Sequence, residues 1–281
     1  MINFEELANA VNPNPGQTLK TAPTPPAYTI PAKLLSKGTT NAKTSKNALE
    51  TFILYMSPAA QNSKGADLCP FRSKGCTAAC LYTAGRGKFN NVQRARMNKS
   101  EYFTRDKKTF LAQLSLELIA INKKQLKKGT KAAIRLNGTT DVDFLYLLKN
   151  RAGLDALQLE GLVFYDYTKD PHRVKRYAGT NYTLTFSRAE DNEPQALEIL
   201  KNSGIVSAVF AEKLPQFYKG FEVINGDQSD DLMIKAAAAA GVLKRTRKGQ
   251  GIILGLKAKG DAKKDTSGFV ITSHLNTGSN A

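Results

Sequence analysis

Short apolar runs alternate with amphipathic stretches along the middle of the chain. The runs are rich in β-branched and aromatic residues, which is typical of strands: TFILYM (51–56), KAAIRL (131–136), LVFYDYT (162–168), YTLTFS (182–187), IVSAVFA (205–211), FEVIN (221–225) and GIILGL (251–256). Helical periodicity or capping signals lie between them, which predicts helices over 100–127, 143–153, 170–179, 192–204 and 229–240. Strands that alternate with helices predict right-handed βαβ units and a parallel sheet.

This order predicts an α/β fold, a full or partial TIM-like βα barrel with about six βα units. A doubly wound open sheet is the alternative, because the sequence does not show whether the sheet closes. We expect the barrel domain to span residues 47–256. Residues 1–46 are predicted to be a flexible N-terminal segment because they are rich in proline, and residues 257–281 a loose, basic C-terminal tail that includes one late strand, FVITS.

Polar side chains follow nearly every predicted strand at its carboxyl end, where α/β sheets and barrels bind ligands. The candidate catalytic residues are Asn137, Asp141, Asp166, Ser187, Arg188 and Asp227. A second interpretation is that Asp141, Asp143, Asp227, Asp230 and Asp231 hold Mg²⁺ for phosphodiester cleavage. A third is that such residues cap helices and line solvated loops.

Composition narrows the class of protein. The chain has 41 Lys and Arg against 24 acids, a formal net charge of +17, which favours a polyanionic partner such as nucleic acid. Three cysteines do not make a disulfide scaffold, and no apolar run is long enough for a transmembrane helix. The first residues lack the basic and apolar parts of a secretory signal. We therefore expect a cytoplasmic protein that does not bind membranes.

All three cysteines lie within 12 residues, directly after the first predicted strand. Cys69, Cys76 and Cys80 have the spacing C-x6-C-x3-C, and thiolates are suited to zinc, copper(I) or iron–sulphur clusters. Structural zinc needs four ligands, whereas a four-iron cluster accepts irregular spacing and can be held by three cysteines. The loop therefore predicts a [4Fe-4S] cluster; zinc, structural cysteines and redox cysteines are the alternatives.

A three-cysteine loop after the first strand of a βα barrel resembles the radical S-adenosylmethionine enzymes. That resemblance implies that the open iron binds S-adenosylmethionine. The spacing here differs from the C-x3-C-x2-C pattern of those enzymes, and Ala79 stands where they have an aromatic residue.

The chain is also similar to a family of phage proteins first catalogued as a mycobacteriophage gene product. The likeness rests on the three cysteines and on GTTDVD (138–143), FYDYTKDP (164–171), TFSRAEDN (185–192) and INGDQSDD (224–231). It implies a phage origin and an iron–sulphur barrel, and it does not specify a reaction.

Two basic stretches are typical of nucleic-acid contacts. Residues 61–110 carry eleven Lys and Arg against three acids, with aromatic residues among them, as in surfaces that bind single strands. A second stretch is KRTRKGQG (244–251). The candidate nucleic-acid-binding residues are Arg86, Lys88, Phe89, Arg94, Arg96, Lys99, Arg245 and Arg247.

Three functions therefore fit the sequence. The first is an iron–sulphur enzyme that acts on or at nucleic acid. The second is a non-catalytic protein that binds single-stranded nucleic acid and whose cluster orders the basic loop. The third is a metal-dependent nuclease built on the aspartates.

Overall fold

A ten-stranded, mostly parallel sheet organises the protein. The computed structural model describes residues 28–40, 43–239 and 251–272. The strands are β1 (Leu35–Lys37), β2 (Glu50–Leu54), β3 (Ala132–Arg135), β4 (Leu162–Thr168), β5 (Tyr182–Ser187), β6 (Ile205–Phe210), β7 (Phe217–Tyr218), β8 (Phe221–Asn225), β9 (Ile252–Lys257) and β10 (Val270–Ile271). The order across the sheet is β1-β2-β3-β4-β5-β6-β9-β8-β7, and β10 pairs with β6.

The prediction of a parallel α/β fold is confirmed, but the full TIM-like barrel is not found. Within the described residues β1 and β7 form the two ends of the sheet and do not pair with each other, so the sheet stays open. Strands β2 to β6 follow chain order, as a barrel requires. The order then reverses, because β9 lies between β6 and β8. The open-sheet alternative therefore describes the connectivity better.

The helices cover both faces of the sheet. They are α1 (Lys74–Ala78), α2 (Asn90–Arg105), α3 (Lys107–Lys128), α4 (Phe144–Ala152), α5 (Pro171–Arg176), α6 (Glu193–Lys201) and α7 (Asp231–Ala238). On one face Phe164 of β4 packs with residues of α3 and α4. On the other face Tyr165 packs with Met233 and Ile234 of α7. Successive side chains of a strand point to opposite faces, so β4 is buried on both.

The described sheet extends past the boundaries expected for the barrel domain. Strand β1 lies inside the segment 1–46 and pairs antiparallel with β2. Strand β10 lies inside the tail 257–281 and continues beside β6, where β5 has ended. In the described part of the chain, no helix has the length and apolar character that crossing a bilayer requires.

Candidate functional site at the carboxyl ends of β2 to β5

The cysteine loop folds onto the carboxyl edge of the sheet between β2 and α2. Ser73 begins the short helix α1, and its hydroxyl accepts a hydrogen bond from the Cys76 N–H at 3.0 Å. Glu190, which follows β5, accepts from the Ser73 hydroxyl at 2.8 Å and from the Gly75 N–H at 2.6 Å. One carboxylate therefore fixes the segment that carries Cys76, and Glu190 is a residue that the sequence analysis did not single out.

Gly75 permits a close approach between the cysteine loop and the C-terminal segment. A Cβ at this position would lie 2.1 Å from Ser267 Oγ and 2.6 Å from Phe269 Cβ. Arg188 also contacts this segment, since it donates hydrogen bonds to the Gly268 and Phe269 carbonyls. The residues just before β10 are thus packed against α1, next to the cysteines.

The three thiols are neighbours. Cys69 Sγ lies 3.4 Å from the Ala59 N–H nitrogen and 3.8 Å from the Thr139 carbonyl oxygen, which places it beside the loop that follows β3. Cys69 lies within electrostatic range of both Cys76 and Cys80, and Cys80 of Cys76. Burial raises the pKa of the Cys69 thiol well above its usual value and that of Cys80 to about 11. As free thiols, both are therefore neutral at pH 7.

Among the described residues, no three His, Cys, Asp or Glu side chains stand in an arrangement that would coordinate a metal ion. The cysteines are therefore near one another without being preset as ligands. The chemistry of the donor set still fits a thiophilic metal or an iron–sulphur cluster, because it consists of three sulphur atoms in one loop.

Three cations surround the thiols. Arg72 lies within electrostatic range of Cys76 and Cys80, and it forms an ion pair with Asp67. The Lys169 ammonium, just after β4, hydrogen-bonds to Cys76 and lies 5.5 Å from the centre of the Phe269 ring.

The third cation is Arg96, from α2. Its guanidinium carbon lies 4.9 Å from the centre of the Tyr55 ring and 5.6 Å from that of Tyr82, and Cys80 is within electrostatic range. Its Nε and Nη1 atoms are buried and have no hydrogen-bond acceptor in the described part of the chain.

Three of the predicted catalytic residues come together beside this loop. Asp166 is fully buried at the end of β4 and accepts from the Asn137 N–H at 2.8 Å and the Tyr182 hydroxyl at 3.0 Å. Asp141 accepts from the Lys169 N–H at 2.8 Å and forms an ion pair with Arg173. Burial raises the pKa of Asp166 to about 6.

Arg173 is the residue that joins this network. It lies on α5, is 2% exposed, contacts Asp141 and lies 4.0 Å from Asp143, and donates to the Tyr182 hydroxyl at 2.8 Å. A basic residue in a predicted surface helix carries no signal of such burial, so sequence reasoning missed it. The positive charge of Arg173 neutralises Asp141 and Asp143, the carboxylates that a magnesium ion would need as ligands.

The other three predicted catalytic residues lie elsewhere on the edge. The Ser187 hydroxyl accepts from the Ser207 hydroxyl at 3.3 Å, and Arg188, besides holding the C-terminal segment, pairs with Glu193 at 3.5 Å. Asp227 accepts from the Lys257 N–H at 2.9 Å and pairs with Lys259 at 2.6 Å. Each has a visible structural role, and their catalytic role stays a prediction.

The comparison with protein families matches residues 33–273 to Gene product 88, a phage gene-product family. The match covers most of the 281 residues. The chain belongs to this family. No curated protein and no solved structure matches it. The family assignment confirms the expected phage-type gene product and assigns neither a cofactor nor a reaction.

In this Gene product 88 member, the predicted nucleic-acid residues divide into outward and inward groups. Arg86, Lys88, Phe89 and Arg94 are exposed, and Phe89 is a large hydrophobic side chain with 52% of its area in solvent. Arg86, Lys88 and Phe89 lie on the turn that leads from Cys80 into α2, and Arg94 lies in the first part of α2.

Arg96 and Lys99 are half-buried. The Lys99 ammonium donates to the Leu34 carbonyl at 2.6 Å, and burial lowers its pKa to about 8. Arg245 and Arg247 lie outside the described residues.

Proposed function

We propose that this phage gene product carries a [4Fe-4S] cluster on Cys69, Cys76 and Cys80 and acts on or at nucleic acid. The observation that carries the proposal is the gathering of three sulphur atoms at the carboxyl edge of a parallel sheet. This is the edge at which α/β folds bind ligands and cofactors. No cysteine lies elsewhere in the sequence, so the loop is a self-contained set of thiolate donors.

The electrostatics around the loop suit an anionic metal–thiolate centre. A cluster held by three thiolates is anionic overall, and Lys169 and Arg96 provide positive charge next to the sulphurs. When bound, such a cluster has one iron open to an external ligand, for example S-adenosylmethionine, and supplies one-electron chemistry. The residues of the chain hold the sulphurs in place and balance the charge.

A role at nucleic acid is favoured by the surface next to Cys80. Phe89 is exposed among Arg86, Lys88 and Arg94, the combination of a stacking platform with phosphate-neutralising cations that suits single strands. A nuclease based on the aspartates is less well supported, because Asp141 and Asp143 are paired with arginines and Asp227 with a lysine.

Anaerobic purification with iron, sulphide and zinc analysis tests the cluster. We expect about four iron atoms per chain by cluster stoichiometry. Cys69→Ala, Cys76→Ala and Cys80→Ala should each abolish the iron. Lys64→Ala, an exposed change in the same loop, should retain it. Stoichiometric zinc without iron, after anaerobic expression, would contradict the proposal.

Access to the open iron is tested separately. If the resemblance to radical S-adenosylmethionine enzymes extends to chemistry, S-adenosylmethionine should change the electron paramagnetic resonance spectrum of the reduced protein. An unchanged spectrum at saturating ligand, with iron present, would remove this part of the proposal and leave the cluster in place.

A further inference from the structure

Two cations flank Cys80, and among the described residues a carboxylate lies within electrostatic range of one of them, Lys169, but not of the other, Arg96. Lys169 and Arg96 both lie within electrostatic range of this thiol. The carboxylates nearby already have partners, since Asp67 pairs with Arg72 and Asp141 with Arg173. The half-buried Arg96 guanidinium therefore faces Cys80 with no ion pair among the described residues, whereas the half-buried Lys169 hydrogen-bonds to Cys76 and lies within electrostatic range of Asp141.

Arg96 has two buried nitrogen atoms without a hydrogen-bond partner in the described part of the chain. Buried polar groups in native proteins nearly always find a hydrogen-bond partner, yet its Nε and Nη1 atoms have none in the described part of the chain. Burial lowers the pKa of Arg96, whereas for Arg173 the neighbours Tyr182 and Asp141 outweigh burial and raise the pKa. The two tyrosine rings fix the plane of the Arg96 guanidinium but accept no hydrogen bond from these two atoms.

Gly87 brings the basic turn directly onto this arginine. A Cβ at Gly87 would lie 2.5 Å from the Tyr82 carbonyl oxygen and 3.2 Å from Arg96 Nη1. The exposed Arg86 and Lys88 on either side of Gly87 add positive potential at the same place. A negatively charged group that approaches Cys80 is therefore drawn toward Arg96.

We infer that Arg96 and Lys169 bind an oxyanion, a phosphate or a carboxylate, of the ligand that approaches Cys80. The inference rests on the proposed function and names the chemical class of its ligand. Arginine suits this role because its planar fork of N–H donors matches both groups.

The test uses calorimetric titration of the anaerobically purified full chain with adenosine 5′-monophosphate, adenosine, inorganic phosphate and acetate. We expect the monophosphate to bind and adenosine not to bind. Binding of inorganic phosphate but not acetate identifies a phosphate site, and binding of acetate as well identifies a general oxyanion site.

The variants assign the binding to these two side chains. Arg96→Gln and Lys169→Gln should each weaken monophosphate binding by about 10- to 100-fold, the range for one hydrogen bond to a charged group. Arg96→Lys should restore part of it, because the charge is kept and the fork is lost. Arg151→Gln, which removes one exposed positive charge on α4, is the matched control and should bind as the parent does.

Equal binding by the parent and both glutamine variants, with thermal unfolding unchanged, would overturn the inference, and so would binding of adenosine as tight as that of the monophosphate. Iron analysis of the same preparations separates the two proposals. Charge-dependent binding without iron would contradict the cluster and retain the oxyanion site. Iron in the preparations without charge-dependent binding would support the cluster and contradict the oxyanion site.

Discussion

The exposed turn after Cys80 makes a quantitative prediction about nucleic-acid binding. The turn exposes Arg86 and Lys88, the start of α2 exposes Arg94, and the perturbation is the simultaneous replacement of these three residues by alanine. Binding of a cation to a phosphate releases a counterion, so affinity falls with salt in proportion to the number of contacts. On single strands each contact contributes about 0.7 to the slope of log affinity against log salt.

Three lost contacts should therefore flatten the slope by about 2. Between roughly 50 and 200 mM salt, about 0.6 logarithmic units, the parent should lose about 20-fold more affinity than the triple variant. The assay is fluorescence anisotropy of a labelled single-stranded oligonucleotide at several salt concentrations.

Phe89→Ala separates stacking from charge. The ring is half exposed beside the three cations, and base stacking on an aromatic side chain contributes about 1–3 kcal/mol, or about 5- to 150-fold in affinity. Stacking releases no counterion from the backbone. We therefore expect weaker binding at every salt concentration with an unchanged slope.

The matched control removes the same charge from the opposite edge of the sheet. Lys123, Lys127 and Lys131 are exposed on α3 and just before β3. Their replacement by alanine lowers the net charge equally but should leave the slope close to that of the parent. If the two triple variants give the same slope, the surface after Cys80 is not where nucleic acid binds, and net charge alone explains the affinity.

Two further predictions concern the buried network. Because burial raises the pKa of Asp166 to about 6, the folded protein holds a proton that the unfolded chain releases near pH 4. The unfolding free energy of the parent relative to Asp166→Asn, measured by urea unfolding, should therefore fall from about pH 4 to about pH 6 and be constant above that. A difference that rises with pH would contradict the assignment. Asp230→Asn should destabilise the protein by about 3 kcal/mol, because it removes the carboxylate that lies 2.6 Å from the partly buried Lys43 ammonium. Asp231→Asn is the matched control, and an equal cost in that variant would show that the ion pair is not the cause.

Periodicity predicted the strands well because the parallel strands are buried on at least one face. The bounds of β4, β5 and β8 equal the runs LVFYDYT, YTLTFS and FEVIN. The helix predicted over 100–127 is instead two helices, α2 and α3. Asp106 breaks it by accepting from the Thr109 N–H at 3.2 Å.

The apolar periodicity continues across that break, since the Phe103 and Phe110 rings are in contact with their centres 5.1 Å apart. The periodicity therefore could not reveal the break between the two helices. Strand order was beyond reach for a different reason. Strands β8 and β9 carry similar apolar runs, and nothing in their alternation specifies that β9 inserts beside β6.

The location of the candidate site could be predicted from the sequence, but the role of each residue in it could not. Parallel strands bring their carboxyl ends to one edge, so the meeting of Asn137, Asp141 and Asp166 near the cysteine loop follows from topology alone. Which of them is committed to structure depends on partners from distant positions. Arg173 forms an ion pair with Asp141, and the Tyr182 hydroxyl and the Asn137 N–H donate hydrogen bonds to Asp166.

The pairing of charges along this edge bears on the kind of chemistry it can support. Acid–base or magnesium chemistry would need carboxylates that are free of cations, yet Asp141 and Asp227 each hold a basic side chain. The cysteine loop is of the opposite kind, because it combines three thiols with two cations, Lys169 and Arg96, that form no ion pair among the described residues. Soft sulphur donors bind iron or zinc, and cations bind anions. A site with this balance is suited to present an anionic ligand to a sulphur-bound metal centre, which is why the cysteines and Arg96 are the first residues to mutate.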